Sequence, residues 1–192
     1  MTEATVRAAQ VSDAKEIARI QLRTWQIAYR ELLPEQVLDS VDSEETGGVW
    51  AETVASGPAM VYVAAEDEQL VGFCVAGAAP EPEVADADGE LPPDAAKVGL
   101  IGTLLVEPRW GRRGHGGRLL ATAAQALRGA GSNRGITWVP EADDASLAFF
   151  STVGWESDGT VRTLDAGGQP LRELRLTGSL DLDLQYPAMN GS

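Results

Sequence analysis

The sequence predicts one α/β domain in which strands outnumber helices, and three observations carry that prediction. The chain has 192 residues, a little more than one typical domain. Hydrophobic residues make up 44% and charged residues 23%, ordinary proportions for a chain that buries a core. Strand-like apolar runs then alternate with segments of helical periodicity from one end to the other, with no internal repeat.

Residues 5–9 read as a short strand. Ser12 and Asp13 offer a helix N-cap, and Ala14, Ile17, Ala18, Leu22, Trp25 and Ala28 recur at helical spacing, which predicts a helix over 13–30. Pro34 starts another segment. A second helix begins at Ser43 with Val49, Trp50 and Val54 on one face, weakened at Gly47 and Gly48 and ended by Gly57 and Pro58. Residues 60–65 and 70–78 are rich in valine and flank the polar Glu66-Asp67-Glu68-Gln69, a hairpin pattern.

Residues 80–97 break this pattern, with four prolines and six acids against one lysine, and only Val84 and Leu91 as large apolar residues. Such a stretch is too polar to bury, so a mobile loop inside the domain is expected, with a substrate lid as the functional alternative. Residues 98–106 form an apolar run bounded on both sides, as a buried strand requires. A helix over 116–128 follows, with Leu119, Leu120, Ala123 and Leu127 on one face. Next come a strand over 136–139, a helix over 144–153, and a hairpin joining 160–164 to 171–176 around Asp165-Ala166-Gly167-Gly168. The domain is expected to span 1–180, with 181–192 as an extended or disordered C-terminal tail.

The charge narrows the partners. Twenty-nine acidic residues against 15 basic ones give −14, a surface that repels phosphate backbones and anionic lipid and attracts cations. No nucleic-acid or membrane partner is expected. The first residues lack a signal peptide's basic and apolar regions, and no run approaches the roughly 18 apolar residues of a membrane span, so the expected location is cytoplasmic. Cys74, inside the apolar run 71–75, is expected to be a buried small hydrophobe. One cysteine and one histidine cannot assemble a zinc site of the usual types, so no metal is expected.

The most informative stretch runs from Leu104 to Leu120: a buried strand, a loop with four glycines, and the start of a helix. Glycines admit close backbone approach, and the first N–H groups of a helix have no internal partners, so this geometry suits an anion. From Ile101 to Arg134 six arginines meet a single acid, a local +5 that leaves −19 for the rest of the chain. The arginine fork donates in pairs to phosphate. The same spacing also fits a tight strand-to-helix turn with solvated arginines. A P-loop is excluded by Gly116-Gly117-Arg118 in place of Gly-Lys-Ser/Thr, and a dinucleotide fingerprint by Leu119 where its third glycine belongs.

The run Val106-x-Pro108, then Gly114-x-Gly116-x-x-Leu119-Leu120, resembles the acyl-CoA pyrophosphate loop of the GNAT superfamily of N-acetyltransferases. Two further stretches match that family in order: Trp138-Val139-Pro140 through Phe149-Phe150 and Gly154-Trp155, and Trp25-Gln26-x-Ala28-Tyr29-Arg30-x-Leu32-Leu33-Pro34. The resemblance implies a mixed, mostly antiparallel sheet of six to seven strands flanked by helices, whose strands around Val106 and Val139 splay apart. It implies acetyl-CoA as cofactor, with backbone groups of Leu104 and Val106 on the pantetheine arm and Arg112, Arg113, Gly114, His115, Gly116 and Gly117 around the pyrophosphate. Asp143 would accept a hydrogen bond from the cofactor, and Trp25 and Tyr29 would line the acceptor pocket, although core packing explains Trp25 equally well.

The expected activity is acetyl transfer to a primary amine of a small molecule or peptide, with a cationic acceptor favoured by the acidic remainder. A homodimer is left open. Three departures bear on this. Gly111 stands where the family's loop opens with Gln or Arg, Asp143 stands for Asn, and Phe150 replaces the tyrosine that often protonates the departing thiolate. A phenyl ring has no proton to give. No glutamate lies on 98–106, where relatives often carry a general base, so the base is unassigned. His115, the only histidine, is a candidate for that task, but its loop position directs it to cofactor phosphates. Two other readings stay open: a protein that binds acyl-CoA without turnover, and a nucleotide-binding protein using the same loop.

Overall fold

The computed structural model describes residues 3–40 and 43–182. Its strands are β1 (Ala4–Ala8), β2 (Met60–Glu66), β3 (Gln69–Ala78), β4 (Val98–Val106), β5 (Arg134–Pro140), β6 (Glu156–Ala166) and β7 (Gln169–Ser179). Its helices are α1 (Ala14–Ala28), α2 (Glu35–Asp39), α3 (Ser43–Ser56), α4 (Glu81–Val84), α5 (His115–Gly129) and α6 (Asp144–Thr152). The strands form one sheet in the order β1-β2-β3-β4-β5-β7-β6, and every pair is antiparallel except β4 with β5. The mostly antiparallel sheet expected from the family resemblance is present.

Helices cover both faces. On one, α5 and α6 pack Leu119, Leu120, Leu127 and Phe150 against Val71, Cys74, Ile101 and Val139. On the other, Ile17 and Ile20 of α1 meet Val61, Val63, Phe73 and Leu105, with Trp50 of α3 edge-on to Phe73 at 5.0 Å. Fully burying each such side chain contributes about 1.5–3 kcal/mol. Cys74 is wholly buried, and loss of water pushes its thiol up to about 12. Trp155 lies against Gly135 and Gly178, where any side chain would collide with its ring, and its indole N–H donates to the Ser179 carbonyl at 3.0 Å.

The β6–β7 hairpin is longer than its apolar residues suggest. Gly167 and Gly168 both hold positive φ, 65° and 88°, the conformation a two-residue hairpin turn demands, so pairing runs to Ala166 and Gln169. The tip abuts α2, since a Cβ at Gly167 would strike the Val37 side chain.

The acidic segment 80–97 carries more local structure than its composition suggests: α4, a 3-10 turn at Ala95–Lys97, and a buried Val84 packed with Val98 and Ile136. Arg175, itself buried, donates to the carbonyls of Glu83 and Ala85 at 3.0 and 2.7 Å, and Arg134 holds Asp94. The reason is long-range: backbone carbonyls and carboxylates here meet arginines of β5 and β7. Beyond the last strand, Asp181 accepts from Arg128 at 2.9 Å and Leu182 packs on the core. The rest of the expected tail, 183–192, lies outside the described residues.

Candidate active site

The parallel pair β4 and β5 is joined only at its start, Val98 with Arg134 through Leu100 with Ile136. A bulge at Gly102 shifts the β3–β4 register between Thr103 and Ile101, bending β4 where the two strands part. Thr137, buried at the fork, donates its hydroxyl to the Ile101 carbonyl at 2.8 Å and closes the ladder. Farther along, the Glu107 N–H donates to the Val71 carbonyl at 2.8 Å, so Leu105 and Thr103 turn their backbone groups toward β3. By alternation Leu104 and Val106 turn theirs toward β5, which no longer pairs with them. Two residues expected to bind an extended ligand through their backbone therefore face an open fork.

A cavity of about 360 Å³ occupies that fork. Leu104, Val139 and Phe150 reach it from the α5–α6 face, and Trp25, Tyr29 and Leu105 from the α1 face, so it passes through the sheet. Leu32, Leu33, Val37, Leu164 and Leu171 add apolar walls from the α1–α2 connection and the β6–β7 hairpin. Trp25 and Tyr29 thus line one cavity, and Trp25 also packs on the α1 core.

The glycine-rich loop opens α5. Gly114 caps the helix with φ 81°, a left-handed conformation that only glycine adopts without strain, and Arg112 reaches φ 62° just before it. Gly116 and Gly117 follow in the first turn, where backbone N–H groups lack helical acceptors. Gly116 lies beside Phe149 of α6 and Leu104 of β4. Arg112 is exposed, and Arg113, half exposed, stacks 4.8 Å from the Trp110 ring and donates to Glu66 at 2.7 Å.

Two expectations need correction here. The His115 side chain does not reach outward to phosphates: it is 1% exposed, and its Nε2 lies 2.8 Å from Glu66 Oε2. As the first residue of α5 it turns its ring into the fold, leaving its backbone N–H for a ligand. The six arginines also do not form one patch. Arg128 and Arg134 sit at the far end of α5 and the start of β5, about 20 Å from the loop by helix rise, paired with Asp181 and Asp94. Arg109 turns to the buried Glu107, which Arg19 and Arg23 of α1 also meet at 3.2 and 3.3 Å.

At the C-terminal end of β5, Asp143 caps α6. Its Oδ1 accepts the Ser146 N–H at 3.1 Å, and its Oδ2 accepts the hydroxyls of Ser146 and Tyr29 at 2.7 and 3.2 Å. The carboxylate expected to face a cofactor is thus held by its own helix and by α1. The Tyr29 phenol is pushed well above its ordinary range, first by burial, then by the charge of Asp143 and the bond to it, and by the charge of Glu173.

Glu173 escaped the sequence reading. It lies on β7 opposite Pro140, lines the cavity, is 8% exposed, and accepts from Arg162 Nε at 2.6 Å. Its signal was the one acid among the leucines and arginines of 171–176, which reads as hairpin patterning until the partner strand is known. Glu66 was taken only as a turn residue for the same reason.

The sequence model of the acetyltransferase (GNAT) family matches residues 16–155. YuaI of Bacillus subtilis (strain 168), an uncharacterized N-acetyltransferase, is 31% identical over 153 residues, 79% of this chain and 80% of the relative. Among solved structures, PaiA N-acetyltransferase from Thermoplasma acidophilum, in complex with coenzyme A, aligns with a TM-score of 0.69 at 14% identity, over 92% of this chain and 99% of that one. YncA from Salmonella typhimurium with its cofactor acetyl-CoA aligns with a TM-score of 0.65 at 16% identity, over 97% and 98%. Those two structures speak for the fold. Among the described residues no helix is long and apolar enough to cross a membrane. With the family match spanning most of the chain and the forked sheet behind it, this protein belongs to the acetyltransferase (GNAT) family.

Proposed function

We propose that the protein transfers the acetyl group of acetyl-CoA to a primary amine of a small molecule or peptide. The observation that carries this reading is the fork between β4 and β5, with unpaired backbone of Leu104 and Val106 beside a cavity that runs through the sheet. The coenzyme A and acetyl-CoA complexes of PaiA and YncA support the choice of donor.

The residues present fit that donor. Leu104 and Val106 offer a strand edge to the pantetheine amides, as an added strand would be held. The N–H groups of His115, Gly116 and Gly117, with Arg112 and Arg113, suit the pyrophosphate. When bound, acetyl-CoA supplies an acetyl group activated as a thioester. The protein's part is to hold the two reactants from opposite faces of the sheet and keep water out of the apolar cavity between them, which turns a two-molecule encounter into an oriented one. Phe150, lining the cavity without a hydroxyl, favours a second reading in which acyl-CoA is bound but not turned over.

Thiol release from acetyl-CoA over a panel of primary amines, with CoA binding measured by calorimetry, separates them. Release above hydrolysis on any amine supports transfer and sinks the binding-only reading. CoA binding without release on the whole panel favours the latter, and protection from melting by ATP but not CoA overturns both. Arg113→Ala should weaken CoA binding, and unchanged affinity would refute its role at the pyrophosphate.

A further inference from the structure

We propose that the Glu173 carboxylate receives the ammonium group of the acceptor, and that the acceptor is a monoamine on an apolar body. This rests on the acetyl-transfer reading for its chemistry, but not for its binding test.

The geometry of Glu173 points to a cation. The side chain is nearly buried and lines the cavity on the α1 face, where Tyr29 and Trp138 also sit. Arg162 holds only one of its oxygens, Oε2, and among the described residues Oε1 accepts no hydrogen bond. Arg162 is moreover shared: it donates to Glu83 at 2.9 Å and lies over the Trp138 ring at 4.3 Å. Asp143, on the same cavity wall through Tyr29 and Ser146, has no basic partner among the described residues. Glu173 and Glu83 therefore share one guanidinium, and Asp143 has none among the described residues. A carboxylate so enclosed is costly unless a cation completes its neutralisation, and an ammonium donating to Oε1 does so.

The rest of the cavity sets the body of the acceptor. Leu32, Leu33, Val37 and Leu164 line the same cavity, so the acceptor beyond its ammonium meets hydrocarbon, and the nearby Asp143 already accepts three hydrogen bonds, which leaves a second ammonium without a free carboxylate. Alkyl and arylalkyl monoamines fit, and polyamines and anionic acceptors do not.

Glu173 then has a chemical task. The bound ammonium first gives one proton to Glu173 and on to water, which frees the nitrogen lone pair; as that nitrogen bonds to the acetyl carbon its remaining protons become acidic, and Glu173 takes a second one. The C–S bond breaks with its electron pair on sulfur, which takes up the second proton. Ammonium and acetyl thioester become amide, thiol and one released proton.

The test uses the protein saturated with CoA, titrated with 2-phenylethylamine and with its neutral analogue 2-phenylethanol, followed by calorimetry. The wild type should bind the amine at least about tenfold more tightly, the ratio expected for a charge-assisted bond. Glu173→Gln should abolish that preference while CoA affinity is kept, and Glu173→Asp should restore part of it. A preference that survives in Glu173→Gln overturns the proposal, as does a wild type with no preference. In turnover, Glu173→Gln should lower kcat by about 100-fold or more on the best amine, and 2-phenylethylamine should outperform spermidine. A rate within threefold of wild type, or spermidine as the better acceptor, would overturn it while leaving acetyl transfer intact. Absence of turnover on every amine in the wild type would instead fail the acetyl-transfer reading, with the amine preference still deciding the fate of Glu173.

Discussion

His115 Nε2 lies 2.8 Å from Glu66 Oε2, joining the first residue of α5 to the end of β2 across 49 positions of sequence. Arg113 Nη1 meets the other oxygen of the same carboxylate at 2.7 Å. One acid thus ties both the helix start and the loop before it to the β2–β3 hairpin.

That tie predicts an acid sensitivity. The bond from His115, and then Arg113, holds the Glu66 carboxyl below its ordinary value of 4.5. A group depressed in the folded state stabilises fully above its unfolded value and loses that contribution as pH falls through the folded one. Wild-type urea midpoints should therefore drop below about pH 4.5 more steeply than those of Glu66→Gln. Parallel pH profiles would show that Glu66 contributes nothing through its charge.

Asp143→Ala should destabilise the protein by about 1–2 kcal/mol, because α6 loses its N-cap and the Tyr29 hydroxyl loses its acceptor. Asp143→Asn keeps an acceptor at the same place and should cost far less. Equal denaturant midpoints for the two variants would refute the cap.

Arg175→Met should cost about 1–3 kcal/mol, since the buried guanidinium's hydrogen bonds to Asp158 and to the carbonyls at the end of α4 are lost. The same change frees the Glu83 and Ala85 carbonyls. Hydrogen exchange should then accelerate across 81–97 while α5 stays protected. Unchanged exchange there would mean that Val84 and the Arg134–Asp94 pair suffice to hold the segment.

Phe150→Tyr puts a phenol at a ring that lines the cavity and is 4% exposed. Under the acetyl-transfer reading the hydroxyl can protonate the departing sulfur, and the thiol-release rate should rise about tenfold. The gain stays below that of a full general acid, because a thiol of pKa about 8.5 leaves readily by itself. A rate equal to wild type would show that sulfur needs no proton donor there.

Much of the fold is legible because its signals are local. The bounded apolar run at 98–106 is β4 to the residue, and the 3.6-residue spacing of Leu119, Leu120, Ala123 and Leu127 is the buried face of α5. Gly114 sits where a left-handed cap is needed. Leu104 and Val106 could be singled out by the family resemblance, yet their backbone is open only because β5 diverges after Ile136.

Side-chain partners were not legible, because they depend on strands that meet far from one another in sequence. Composition made the segment 80–97 look unanchored, and it is Arg175 of β7 that reaches its carbonyls. Counting charge along 101–134 suggested one basic island, and helix length separates its ends.

By itself, then, the sequence determined the order of strands and helices, the glycine loop at the start of α5 and the family resemblance, since each is written in the conformational preferences of adjacent residues. Only the tertiary structure decided that His115 turns inward to Glu66, that Asp143 is a cap bonded to Tyr29, and that Glu173 lines the cavity with one oxygen unclaimed. Burial and ion pairing are set by which faces the sheet register brings together, and residues as distant as Tyr29 and Asp143 carry no local trace of that register.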